Sequence, residues 1–182
     1  MLTSQEDYGF SLLLAMDPRS DDELIEKMES YFRSFKGLFS GDGLQSLTHV
    51  MTLAGENSTP ERVRGIYRGL REKGLKYGKH YELSMLGVLA GLPLSVEEIV
   101  EEMVEADRYL KPRKGYGFWG LSHKERLMHA AMLVAAEHKG ADDPTAMDTA
   151  LLSGTIAMIA AEQAMLSAII AANAASASAA AS

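Results

Sequence analysis

Apolar residues recur along the chain at the three- and four-residue spacing of helices that bury one side. Val63, Ile66, Tyr67 and Leu70 form one such set, and Val96, Ile99, Val100 and Met103 form another. Clear start and stop signals separate the sets. "SDDE" from Ser20, "SVEE" from Ser95 and "SHKE" from Ser122 are capping boxes: the serine oxygen accepts from a first-turn amide while the glutamate accepts from the serine's own N–H. "STPE" sets Thr59 as a cap and Pro60 at the first helical position. Asp42 predicts the cap of a helix that stops at Gly55, and Pro18 ends a first helix by disfavouring helical geometry at Asp17. The predicted helices run over 4–16, from Ser20 to about Lys36, and over 43–54, 60–73, 79–90, 96–110 and 123–138, with a last one from Pro144 to at least residue 172. No stretch alternates with period two between turn signals, so the expected class is all-α.

The helices repeat. "GLFSG" at 37–41 and "GLKYG" at 74–78 share a Gly-Leu-x-x-Gly frame, and the helices after them end in "LAG" at 53–55 and 89–91. Each frame follows a charged amphipathic helix and precedes a more apolar one. Helix 96–110, the glycine-rich loop 111–121 and helix 123–138 make a weaker third copy. Two helices per repeat predict stacked antiparallel helical hairpins, about three pairs, each burying its apolar face on its neighbours. At 182 residues the chain can bury one sizeable core. The expected organisation is one helical domain over 1–174 and an Ala- and Ser-rich frayed tail over 175–182.

The long Ala-rich C-terminal helix divides lengthwise. One half carries Leu151, Leu152, Ile156, Met158, Ile159, Met165, Leu166, Ile169 and Ile170. The other carries Ala150, Ser153, Ala157, Ala160, Ala164, Ser167, Ala171 and Ala174, a heptad seam of small residues. Small side chains let two backbones approach closely, so this seam is the expected self-association surface of a homodimer. Glu162 projects into the bulky half, where a carboxylate must be neutral or paired. It is either the partner of an arginine or tyrosine on another helix or a polar point in a pocket. It also argues against a membrane span, since a carboxylate near a bilayer centre costs roughly 2.5–3.5 kcal/mol.

Charge and chemistry narrow the function classes. A net charge of −7 argues against generic nucleic-acid binding. The basic run Arg62, Arg64, Arg68, Arg71, Lys73, Lys76 and Lys79 and the acidic run Glu97, Glu98, Glu101, Glu102, Glu105 and Asp107 oppose apolar stripes, which places both on solvated faces. Without a cysteine the chain has no disulfide, thiolate zinc site or cysteine nucleophile, and it suits a reducing compartment. "MLTSQEDYGF" has no basic leader region, so a cytoplasmic location is expected. Glu125 and His129 share a helix face, with Glu137 and His138 further along, but Glu-x-x-His and His-Glu-x-x-His are both missing. No metal or cofactor is expected, and no nucleophile or phosphate-loop motif supports an enzyme.

One loop carries more than a connector needs. In "KPRKGYGFWG", Pro112 suffices to stop one helix and Gly120 to approach the next, which leaves Lys111, Arg113, Lys114, Tyr116 and Trp119 as candidate binding residues. Trp119 is expected to be mainly buried, capping helix ends with Phe118, with Leu121 as a staple residue. Lys111, Arg113, Lys114 and Tyr116 form the expected rim, suited to an anionic ligand or a partner's acidic segment.

The order "DYGFSLLLAM", "GDGLQSLTHVMTLA", "HYELSMLGVLAGL", "DRYLKPRKGYGFWGLSHKERLMHAAMLVA" and "LLSGTIAMIAAEQAMLSAIIAA" resembles a bacterial, all-helical family known only as a domain of unknown function. Members of that family are longer, and the chain resembles their C-terminal part, which implies a fragment of a longer protein. The resemblance implies a helical fold and brings no activity, cofactor or functional residue. The expected function is a cytoplasmic, non-catalytic helical module acting through protein contacts or self-association. The alternative is a small-molecule or metal-binding protein, or an enzyme, with its site between helical pairs.

Overall fold

The computed structural model describes residues 13–77, 81–116 and 121–138. Besides a helical turn at 13–15, it contains α1 (Asp21–Phe35), α2 (Gly41–Leu53), α3 (Pro60–Glu72), α4 (Ser84–Ala90), α5 (Val96–Leu110) and α6 (His123–Glu137). A 3-10 turn, Tyr81–Leu83, leads into α4. There is no strand among the described residues, only an isolated bridge between Lys36 and Phe39. The protein is all-α.

The helices pack as three hairpins in two layers. α1 pairs with α2, α3 with α4 and α5 with α6; α1, α3 and α5 then stack in order in one layer, and α2, α4 and α6 in the other. This is the stack that the sequence repeat predicts. Its physical basis is the alternation of helix types: α1, α3 and α5 are amphipathic, whereas α4 is buried along its whole length and α2 along most of it. The core contains Phe35, Leu47, Met51, Ile66, Leu70, Met85, Leu86 and Leu89, all fully buried. Each such side chain contributes about 1.5–3 kcal/mol of transfer free energy.

The three capping boxes form with both of their bonds, at Ser20 with Glu23, Ser95 with Glu98 and Ser122 with Glu125. Thr59 accepts from the Arg62 amide. α3 ends in a Schellman arrangement: Gly74 takes a left-handed φ of 84°, its N–H donates to the Arg71 carbonyl, and the Leu75 N–H donates to the Leu70 carbonyl. Leu70 and Leu75 are both buried beneath this turn.

Several expectations are corrected. α2 begins at Gly41, so Asp42 lies in the first turn, where its charge faces the helix dipole, and Ser40 holds the cap position without a side-chain cap bond. α4 begins only at Ser84, because the chain enters it through the tighter 3-10 turn that carries Glu82 and Leu83 inward. The charged runs are not wholly solvated either. Arg62 donates to the carbonyls of Ala90, Leu92 and Leu94, at 3.0, 2.9 and 2.7 Å, and so closes the C-terminal end of α4. Arg64 donates to the Ser34 carbonyl and lies over the Phe35 ring. Asp107 is buried and accepts from Arg126 Nε at 2.7 Å.

α3 and α5 meet through two glycines. A Cβ on Gly65 would lie 3.2 Å from Val96 Cγ1, and one on Gly69 only 2.7 Å from Val100 Cγ2. The four-residue spacing of Gly65 and Gly69 matches that of Val96 and Val100, so each valine seats against a bare stretch of the α3 backbone. The predicted C-terminal helix, with Glu162 and the small-residue seam, lies outside the described residues, as does Trp119.

Candidate functional site

The loop after α5 places its predicted residues unequally. Pro112 has no N–H to continue the helix, and the chain coils off through bonds from Lys111 N–H to the Asp107 carbonyl, Arg113 N–H to Leu110 and Tyr116 N–H to Arg113. Gly115 adopts a φ of 100° within this coil. Lys111, Arg113 and Lys114 are thereby held within one short turn, all exposed. The Arg113 guanidinium sits 4.3 Å over the ring of Tyr109, which is 58% exposed. Tyr116 turns the other way. It is half-buried, its hydroxyl lies 2.7 Å from His129 Nδ1, and the two rings meet edge-on at 5.6 Å. Tyr116 therefore anchors the loop to α6, and Tyr109 supplies the exposed aromatic surface. Sequence reasoning missed Tyr109, although its i,i+4 relation to Arg113 was the available signal.

A second surface lies on α3. Arg64, Tyr67, Arg68, Arg71 and Glu72 share one helix face and, with Leu38 from the loop after α1, line an open groove of about 600 Å³. Aromatic rings lie beneath it. The Tyr67 ring stands edge-on to Phe39 at 5.1 Å, the Arg71 guanidinium lies 5.6 Å over Tyr67, and that of Arg64 lies 5.2 Å over Phe35. A smaller groove of about 360 Å³ continues between α3 and α5. Gly65, Gly69, Val96 and Val100 line its base, with Arg68 and Glu72 from α3, Lys73 just after it, and Glu97 and Glu101 from α5.

A buried polar point occurs where the second and third hairpins meet. Glu82 is 1% exposed, the Lys124 ammonium lies 3.3 Å from its Oε1, and neither carboxylate oxygen has a hydrogen-bond partner among the described residues. Nearby, Tyr77 donates its hydroxyl to the Leu127 carbonyl at 3.2 Å. Burial, and secondarily the charge of Glu82, pushes the Tyr77 phenol above its usual range. Sequence analysis assigned the buried-polar role to Glu162 and overlooked Glu82, whose signal was a lone carboxylate ahead of the apolar run "LSMLGVLAGL".

His129 and His138 are engaged with protein groups. His129 meets Tyr116, Glu125 closes the Ser122 capping box, and His138 Nε2 lies 2.6 and 2.7 Å from the two oxygens of Glu102. Among the described residues, no group of three or more candidate ligands is placed to hold a metal ion. No helix among them is long and apolar enough to cross a membrane.

Three helical hairpins stacked in two layers, with charged grooves open on the layer of α1, α3 and α5, define the class: an all-α helical-hairpin stack. The chain belongs to the family described as Protein of unknown function (DUF4003), whose model matches residues 1–164. No curated protein and no solved structure matches it.

Proposed function

We propose that this chain is a cytoplasmic, non-catalytic helical module that acts through protein contacts, using the loop after α5 as one contact surface. The observation that carries this reading is the Arg113 guanidinium seated on the exposed Tyr109 ring, with Lys111 and Lys114 exposed in the same turn. A ring beneath a guanidinium limits its rotamers, so less freedom is lost when its N–H edge meets a partner's carboxylate. Charge reversal at Arg113 and Lys114 is expected to change unfolding free energy by less than about 0.5 kcal/mol. The same variant should lose a partner captured by the unmodified protein. Unchanged capture, or a collapse in stability, makes the loop a connector only.

Self-association belongs to the same reading. The small-residue seam Ala150, Ser153, Ala157, Ala160, Ala164, Ser167 and Ala171 is the proposed homodimer surface. Ala157→Glu with Ala164→Glu should turn a dimer into a monomer by light scattering; an unmodified protein that is monomeric at micromolar concentration excludes the seam. A second reading, a small-molecule site between hairpins, is favoured by Glu82, whose buried oxygens lie beside Lys124 and have no hydrogen-bond partner among the described residues. Native mass spectrometry of the purified protein should then reveal a bound mass that Glu82→Gln loses.

A further inference from the structure

We propose that the groove on α3 docks an acidic peptide segment carrying a bulky apolar side chain, with its carboxylates on Arg68 and Arg71 and its apolar group against Leu38 and Tyr67. This rests on the protein-contact reading and names a second surface and the chemistry of its partner. Three of the six groove residues are arginines, and Glu72 is the only carboxylate among them. Their guanidiniums are not equivalent. Arg64 is engaged by the Ser34 carbonyl and Glu61, Arg71 is held over Tyr67, and Arg68 is exposed with no ion pair among the described residues. One free and one ring-supported guanidinium present forked N–H donors that match the geometry of carboxylates.

The apolar half of the ligand follows from Leu38. It is 40% exposed and lines the groove, whereas its neighbour Phe39 is buried beneath, edge-on to Tyr67. A side chain laid against Leu38 would remove its exposed apolar surface from water, beside the largely covered Tyr67 ring. Charge further along the same layer selects a short peptide over a nucleic acid. Glu97 and Glu101 face the adjoining groove, and Glu98 and Glu105 are exposed on the same helix, so a polyanion running on from Arg68 toward α5 meets like charge. A peptide that ends its acidic run within the α3 groove does not.

Fluorescence anisotropy with a short fluorescein-labelled peptide of Glu and Leu tests the proposal on the full chain. Binding should weaken as salt rises, and should fall at least about tenfold in Arg68→Glu with Arg71→Glu. Leu38→Ser, at an exposed position, is the second variant and should also weaken binding; melting curves check that both variants fold. Charge reversal at Arg113 and Lys114 should weaken peptide binding several-fold less than Arg68→Glu with Arg71→Glu does, which separates this groove from the loop. Equal binding of a peptide with Gln for Glu, tighter binding of an oligouridylate, no binding, or undiminished binding to the folded arginine variant would each overturn the proposal. Continued capture of a partner through Arg113 and Lys114 in such a case leaves the protein-contact reading standing.

Discussion

Asp107 and Arg126, 19 positions apart, meet as an ion pair that is almost entirely buried. A lone buried charge is far more costly than a paired one, so Asp107→Ala should destabilise the protein by about 3 kcal/mol or more in urea unfolding. Asp107→Leu together with Arg126→Met removes both charges and should recover most of that loss. Asp17 and Arg19 form a different kind of pair. Arg19 grips both oxygens of Asp17 and also donates to the Thr52 carbonyl, which ties the segment before α1 to the end of α2. The Arg19 hydrogen bond, opposed by partial burial, holds the Asp17 carboxyl below its usual value of 3.8. Because the folded pKa is the lower one, the pair's stabilisation is present in full above the unfolded value and is lost as pH falls through the folded value. The stability gap between unmodified protein and Asp17→Asn should therefore be constant near neutrality and close in acid below about pH 3.8. A gap that widens on acidification contradicts the assignment.

At the scale of elements, the contact of α3 with α5 depends on what two positions lack. Gly69→Ala gains up to about 1 kcal/mol of helix propensity, but its Cβ would collide with a β-branched side chain at 2.7 Å. Overpacking of this kind costs about 1–3 kcal/mol, so net destabilisation is expected in thermal melts. Adding Val100→Ala removes the obstructing methyl groups and should restore part of the loss, whereas Gly65→Ala, with 3.2 Å to Val96, should be milder. Arg62 shows a second way in which one helix depends on another: the end of α4 is closed by a side chain from α3. Much of this level was legible in advance. The capping boxes, Pro60, Gly55 and Gly74 act over a few residues, and their consequences follow from spacing alone. The start of α2 was misplaced because Asp42 suits the first turn as well as the cap.

In the whole molecule, stability should follow the stack. α4 packs against α2, α3 and α6, and all of its residues are buried. The loop after α5 exposes residues 111–115. Native-state hydrogen exchange should accordingly find the slowest amides in α4 and much faster exchange at 113–115, where the backbone is exposed and held by turn bonds. Comparable protection in both would show that the hairpins do not open in order of burial. The two charged grooves are also properties of this scale, since they exist only because α1, α3 and α5 lie side by side.

By itself the sequence determined the all-α class, the positions of most helix ends and the three-hairpin repeat. These rest on hydrogen bonds between residues three or four apart and on a periodicity that any stacking must respect. It also marked Lys111, Arg113 and Lys114 as surplus to a connector. Only the tertiary structure decided where the remaining charges go. Arg62 and Arg64 face inward to carbonyls, Asp107 finds Arg126, Glu82 lies beside Lys124, and Tyr116 turns to His129 while Tyr109 takes its place under Arg113. Helical spacing tells which side of a helix a charge occupies, but it does not say which carbonyl, ring or carboxylate another helix will bring there. That is settled when the helices pack.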